Sequence, residues 1–376
     1  MRRIRRVTLR NVRSYEALDL PLDGRSVALT GPNGAGKTNL LEALSLLGPG
    51  RGLRRTKMAD IARQAGPGGW GIGLALEGVD DDEPVHLSAQ APPPPAPLKR
   101  NIRIDGTAVT SATACLDYIR FSWLTPAQDR LFVDGASERR RFLDRMTMAQ
   151  DKVHALTSSS YEKAMRQRQA SLSTGRSDPR LLSVLERQMA ESGVAVAAAR
   201  RETVASLALG YAGLRTGPFP SAVLALEGQL EKALEHEPAA AVEDAFAEAL
   251  ARGRHRDREV GRTLEGPHRS DLLVTHGEKE QPAHLCSTGE QKALLIGLVL
   301  AHATSLQSVE EAPLVLLLDE VAAHLDPDRR SALADILSAL GCQSFMTGTD
   351  SLLFAPWAER AAHFHVVDGK VEVGPT

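Results

Sequence analysis

The chain has 376 residues and a formal net charge of −2, from 45 Lys and Arg against 47 Asp and Glu. That length buries a large core without metal or disulfide staples, and the balanced charge leaves any case for nucleic acid to the distribution of charge rather than its sum. Cys115, Cys286 and Cys342 are odd in number, far apart and without metal-ligand spacing, which argues against a disulfide framework or a zinc site.

The start, MRRIRRVTLRNVRSY, is basic but has no apolar run behind it. No segment approaches the roughly 20 apolar residues of a membrane span, so the expectation is a cytoplasmic protein without a secretory leader. The stretches IRRVTLRNV, ALDLPL and RSVALTGPNG alternate as strands, and the apolar run Val27 to Leu29 feeds a glycine turn. NLLEALSLL, after Thr38, has helical spacing. Between Trp70 and Ile104 the strand candidates GWGIGLALEG, PVHLSAQ and NIRID are interrupted by APPPPAPLK. Proline donates no ladder hydrogen bond, so that run reads as an exposed hairpin tip.

From about Ser137 to Leu250 the composition shifts to Ala, Leu, Glu, Arg and Gln with helical periodicity, broken at STGRSDPR and RTGPFPS. This predicts a helical insertion, an arm or small bundle, with heptads too short-lived for an extended coiled coil. DLLVTH reads as a strand, APLVLLLDE as a buried strand, and CQSFMTGTD and AHFHVVDGKVEV as further strands. The simplest architecture is an α/β lobe built from both chain ends (1–116 and 263–376) with an inserted helical lobe (117–262).

Chemistry enters at Gly31-Pro32-Asn33-Gly34-Ala35-Gly36-Lys37-Thr38, a full match to G-x-x-x-x-G-K-[ST] between a strand and a helix. Glycines let backbone N–H groups converge on phosphate oxygens, the helix start adds its positive end, Lys37 reaches the outer phosphates, and the Thr38 hydroxyl ligates magnesium. The strand LVLLL ends in Asp319, placed to support the metal near Thr38, and in Glu320, placed to orient or deprotonate water. Asp326, in HLDPDRR, is an acid positioned to support a neighbouring subunit's site. Ser287, Thr288, Gly289 and Glu290 open a long apolar helix as a second phosphate-type turn. Two readings stand there: an ordinary helix cap on Ser287, or a cradle for the γ-phosphate of a nucleotide held by another copy of the chain, which the nearby LLLDE strand favours.

Arginine is bunched at Arg2 to Arg6, in GRGLRR, in SERRRFLDR and in ARGRHRDREVGR. Each bunch reads as a solvated face or as a contact to a phosphate backbone, and the scarcity of aromatics argues against base stacking. SERRRFLDR also reads as interior support for the helical lobe.

The order and spacing of GPNGAGKTNLLEAL, STGEQKALL, LLLDE and HLD resemble an ABC-type ATPase head of the SMC-like group. NVRSYEALDL, SERRRFLDR, EGPHRSDL and MTGTD narrow the resemblance to the RecF family of DNA replication and repair proteins, across nearly the whole chain. The resemblance implies an ABC-ATPase-like fold, ATP and Mg2+ as cofactors, an ATP-dependent homodimer, and binding to gapped or junction DNA. It further implies work with RecR and RecO to load RecA, and slow, DNA-stimulated ATP hydrolysis. By motif it makes Glu320 the catalytic carboxylate, Thr38 and Asp319 the metal residues, Ser287 to Glu290 the signature acting in trans, and Asp326 the residue of the following loop. It also puts Arg13 near the nucleotide and Gln128, in LTPAQDRLF, as a metal- or water-sensing residue. The switch histidine of transporter ATPases is absent: SFMTGTD has Thr347 and Thr349 there. His268 reads as a structural hydrogen-bonding residue or a ligand contact, and Arg269 as a ligand contact or lobe packing. Two other classes compete, an ABC subunit serving a membrane or other protein partner and an ATP-bound adaptor without significant turnover.

Overall fold

The computed structural model describes residues 2–78, 83–97, 99–174, 178–214, 217–307, 312–323 and 325–374. Residues 175–177 of the STGRSDPR break, 215–216 of the RTGPFPS break and His324 of HLD lie outside them. In chain order the described elements begin with β1 (Ile4–Val12), β2 (Tyr15–Pro21), β3 (Ser26–Thr30), α1 (Lys37–Ser45), β4 (Trp70–Leu76), β5 (Val85–Ala91), β6 (Asn101–Ile104), β7 (Thr107–Val109) and β8 (Arg120–Leu124). There follow α2 (Ala136–Gln150), α3 (His154–Ser173), α4 (Pro179–Gly213), β9 (Ala222–Glu227), α5 (Gln229–Ala233), α6 (Ala239–Arg252), α7 (Arg254–Val260), β10 (Asp271–His276) and β11 (Gln281–Pro282). The last are α8 (Thr288–Gln307), β12 (Leu314–Leu318), α9 (Pro327–Leu340), β13 (Gln343–Thr347), β14 (Ala361–Val367) and β15 (Lys370–Val373).

The chain forms two compact units, Met1–Asp129 with Gly213–Phe219 and Leu295–Thr376, and Arg130–Ala212 with Pro220–Leu294. These divisions differ from the boundaries read from sequence at Gly213–Phe219, which goes with the first unit, and at two longer segments whose strand pairing gives the reason. Residues 117–129 stay with the first unit because β8, a five-residue buried run without alternation, pairs in parallel with β12. Residues 263–294 go with the second because β10 pairs with β9 and β11, in a small sheet that the helical composition around Ala222 concealed.

In the first unit the antiparallel sheet runs β2-β1-β4-β5-β6-β7 and the second sheet runs β15-β14-β3-β13-β12-β8. Period-two alternation buries Val7 and Leu9 of β1 and leaves Arg6 and Arg10 outside. By contrast β12 and β13 are buried at every position, as the inner strands of a parallel sheet must be. The prolines Pro93 to Pro95 and Pro97 are exposed between β5 and β6, the expected tip. Leu40, Leu41 and Leu44 of α1 are completely buried in one core with Leu9 and Leu74 of the first sheet and Leu29, Leu317 and Phe345 of the second. At about 1.5–3 kcal/mol for each fully buried leucine, this burial holds α1 although Gly36, its N-cap, offers no capping side chain. The amides of its first turn are thereby left for a ligand.

The second unit packs α3, α4 and α6 around Tyr161, Met189, Val194, Phe246 and Leu250. Gly193 permits that approach, since a Cβ there would meet Phe246 at 3.1 Å and Tyr161 at 3.2 Å. Arg168, fully buried, is matched by Glu186 at 3.0 Å, Asp257 at 2.7 Å, Thr263 at 3.2 Å and the Leu250 carbonyl at 2.7 Å. A buried charge needs such a set of partners. Cys115, Cys286 and Cys342 are buried free thiols. Among the described residues no helix is long and apolar enough to cross a membrane.

Candidate nucleotide-binding site

In an open parallel sheet, ligands bind outside the carboxyl ends of the strands. Several predicted residues of the first unit lie at that edge: the glycine loop follows β3, Asp319 and Glu320 follow β12, and Gln128 follows β8, while Thr347, given no role from sequence, ends β13. The loop needs its glycines. Gly31, Gly34 and Gly36 have φ of 139°, 84° and 119°, a region that favours glycine. A Cβ on Gly31 would run into the Val366 carbonyl oxygen, and one on Gly36 would come within 2.6 Å of Ser14 Oγ. Neighbours then fix the loop from outside: the Tyr15 hydroxyl donates to the Gly36 carbonyl at 3.1 Å, and the Gly369 N–H donates to the Ala35 carbonyl at 3.0 Å. Ser14, Tyr15 and Gly369 were not singled out from sequence; NVRSY and VDGK carried the only signal.

Lys37 is buried and its ammonium donates to the carbonyls of Gly31 at 2.6 Å and Pro32 at 2.9 Å. Burial lowers its pKa, an effect opposed by Glu320 and Asp319. Thr38 Oγ1 donates to Asp319 Oδ1 at 2.8 Å, joining loop to strand, and Thr347 Oγ1 donates to the same oxygen at 2.7 Å. The Asp319 N–H is held by the Leu124 carbonyl at 2.8 Å. Glu320 has φ of 52°, and its N–H donates to Thr347 Oγ1 at 2.9 Å. A hydroxyl and a carboxylate sharing one hydrogen bond are hard oxygen donors that fit magnesium, an ion that takes only one or two protein oxygens beside phosphate and water.

Two expected residues are engaged locally. Arg13 places its guanidinium on Glu42 of α1, at 2.9 and 3.0 Å, and on Thr56 at 2.9 Å. Gln128 turns its Oε1 back to accept the Thr125 N–H at 2.9 Å, closing a capping box.

Asp326 is exposed and caps α9 by accepting the Arg329 N–H at 2.9 Å. In the second unit Ser287, Thr288 and Gly289 are exposed. Ser287 shares a reciprocal cap with Glu290, whose Oε2 accepts both the Ser287 N–H and its hydroxyl at 2.9 Å. A Lys279 hydrogen bond, followed by these two, holds the Glu290 carboxyl down at about 2. A Cβ at Gly289 would meet nothing within 4 Å, so glycine there answers no need inside the chain. His268 is hydrogen-bonded within its unit: Nε2 donates to the Thr263 carbonyl at 3.0 Å, which leaves Nδ1 to accept from the Tyr161 hydroxyl at 2.6 Å. Arg269 is exposed.

Profiles described as "AAA domain" and "AAA domain, putative AbiEii toxin, Type IV TA system" match residues 6–60 and 196–347. The DNA replication and repair protein RecF of Mesorhizobium japonicum is 51% identical over 374 residues, covering 99% of this chain and 98% of that one. The chain belongs to the RecF family. A second RecF, from Rhizobium rhizogenes, is 49% identical over 369 residues, with 98% of each chain covered. The solved structure of "the recombination mediator protein RecF-ATPrS in RecFOR pathway" superposes with a TM-score of 0.84 at 22% identity, covering 99% of this chain and 98% of that chain. An SMC head domain from Pyrococcus furiosus gives 0.55 at 18% identity, covering 100% and 96%. The fold is therefore the one that RecF and SMC head domains share, as the order of motifs implied.

Proposed function

We propose that this chain is a DNA-dependent ATPase of replication and repair whose ATP-bound form is a dimer clamping gapped or junction DNA. The observation that carries it is Asp319, which takes the hydroxyl hydrogens of Thr38 and Thr347 on one oxygen, beside Glu320. The loop amides and Lys37 take the phosphates, the ammonium exchanging its two loop carbonyls for phosphate oxygens. Thr38 and Asp319 would hold Mg2+, which would supply neutralisation of charge on the outer phosphates. Glu320 orients a water and accepts its proton as the oxygen attacks the γ-phosphorus; the bond to the bridging oxygen breaks, giving ADP and phosphate. Ser287 and the open helix start at Gly289 receive the γ-phosphate of the partner copy's nucleotide, and Asp326 supports that copy's site. Nucleotide touching both copies only when closed is what makes ATP favour the dimer. The family's RecF name and the RecFOR pathway named for its solved relative support work alongside RecO and RecR, and the family resemblance extends this to loading RecA in the cytoplasm.

The test contrasts two variants. Lys37→Ala is expected to lose on the order of 10- to 100-fold in ATP affinity, as for charge-assisted hydrogen bonds. Glu320→Gln is expected to keep affinity, lose about 100-fold or more of turnover, and accumulate an ATP-bound dimer in light scattering. A Glu320→Gln protein that turns over normally contradicts the assignment.

A further inference from the structure

The end of β13 carries a group that the motifs left without a role. Thr347 is completely buried, and the parallel register that pairs Leu318 with Met346 sets it beside Asp319. A hydroxyl has one hydrogen and two lone pairs. Here the hydrogen goes to Asp319 Oδ1 at 2.7 Å and a lone pair takes the Glu320 N–H at 2.9 Å. One side chain thus fixes the carboxylate of the first acid and the peptide plane leading into the second. That peptide leads into strained backbone: Glu320 sits at φ 52°, a left-handed conformation that a residue with a Cβ rarely adopts and that persists only where surroundings impose it. Asp319 Oδ1 accepts from both Thr347 at 2.7 Å and Thr38 at 2.8 Å, so both hydroxyls hold the carboxylate by the same oxygen. The next residue, Gly348, anchors the arrangement to the glycine loop's strand by donating its N–H to the Leu29 carbonyl at 3.0 Å.

We propose that Thr347 is a positioning residue of the hydrolytic site, setting Asp319 toward the metal and Glu320 toward the water from the strand where transporter ATPases carry a histidine. This rests on the ATPase reading above. The Thr347 hydroxyl is engaged by Asp319 and by the Glu320 N–H, so its effect is expected on magnesium-dependent binding and on turnover.

The experiment compares wild type, Thr347→Ser, which keeps the hydroxyl, and Thr347→Val, which keeps the shape without it. Affinity for a fluorescent ATP analogue is titrated in EDTA and again in Mg2+, and ATP turnover is measured on the same preparations. All three are expected to bind equally in EDTA. In Mg2+ the valine variant should lose about tenfold of the gain in affinity, the worth of a hydrogen bond to a charged group. Its kcat should fall about 100-fold, as for a mispositioned catalytic group, with KM little changed. The serine variant should stay within about threefold of wild type, a hydroxyl being all that is required. A valine variant with wild-type magnesium gain and kcat overturns the proposal, as does a serine variant as impaired as valine. Should the valine protein fail to fold, Thr347→Ala is measured in its place against the same expectations. A wild type that binds no nucleotide overturns the ATPase reading instead, so the two failures are distinguishable.

Discussion

Asp144 shows how single buried residues hold the second unit together. Burial alone would raise its pKa, but Arg200, bidentate at 2.7 and 2.9 Å, and His154 at 3.0 Å more than offset this and bring it from 3.8 to about 2. Arg200 in turn donates to the Pro267 carbonyl at 2.6 Å, tying α4 to the GPHR segment. The linkage sign follows from the depressed value: the stabilisation is complete above the ordinary carboxylate pKa and disappears as pH falls through the folded one. Between about pH 4 and pH 2 it amounts to on the order of 2 kcal/mol. Calorimetry of wild type and Asp144→Asn should therefore show a stability gap at pH 6 that closes toward pH 2. A gap that stays constant across that range would mean that Asp144 contributes packing rather than charge.

At the scale of elements, the start of α8 separates two roles for one serine. The reciprocal bonds between Ser287 and Glu290 make an ordinary cap, worth about 1 kcal/mol, while Gly289 leaves the first turn open to approach. Ser287→Arg removes the cap and fills the approach. It is expected to leave nucleotide affinity of the monomer intact, lower stability by about the cap's 1 kcal/mol, and abolish both ATP-dependent dimerisation and turnover. A variant that is merely less stable and still turns over ATP would reduce Ser287 to a cap. The capping signature and the glycine loop were legible because they are local, fixed by a few consecutive residues. β9 was not: Ala222–Glu227 sits among helix-favouring residues, and its strand state comes from pairing with β10, distant in sequence. Thr347 was visible as the absence of a histidine but not as a partner of Asp319, because that bond comes from neighbouring parallel strands. Likewise the turns of Arg13 onto Glu42 and of Gln128 onto Thr125 are decided by local packing, which a motif position does not carry.

For the whole molecule the proposed clamp raises the question of which arginines are available to DNA. SERRRFLDR is largely consumed inside its own unit: Arg139 is bidentate to Asp271 at 2.8 and 2.7 Å, Arg140 donates to the Ser270 carbonyl at 2.5 Å, and Arg141 pairs with Glu138. In ARGRHRDREVGR, Arg254 is bound to Glu186 and Arg256 to Glu265. In GRGLRRTK, by contrast, Arg51, Arg55 and Lys57 are exposed and without an acidic partner among the described residues. A cation that has no carboxylate to leave is the one that gains most from a phosphate, and each phosphate neutralised contributes about −0.9 to the slope of log affinity against log salt. The measurement is anisotropy of a labelled gapped duplex across a salt series, with and without Mg-ATP. Wild-type binding should tighten with Mg-ATP and weaken steeply with salt. Replacing Arg51, Arg55 and Lys57 together by alanine should flatten the slope by about 2–3 if all three meet the backbone, with ATP affinity unchanged. An unaltered slope would move the DNA contact to Arg258 and Arg262, exposed and equally free of acidic partners among the described residues. DNA binding absent in every condition would leave the ATPase head standing and remove the clamp.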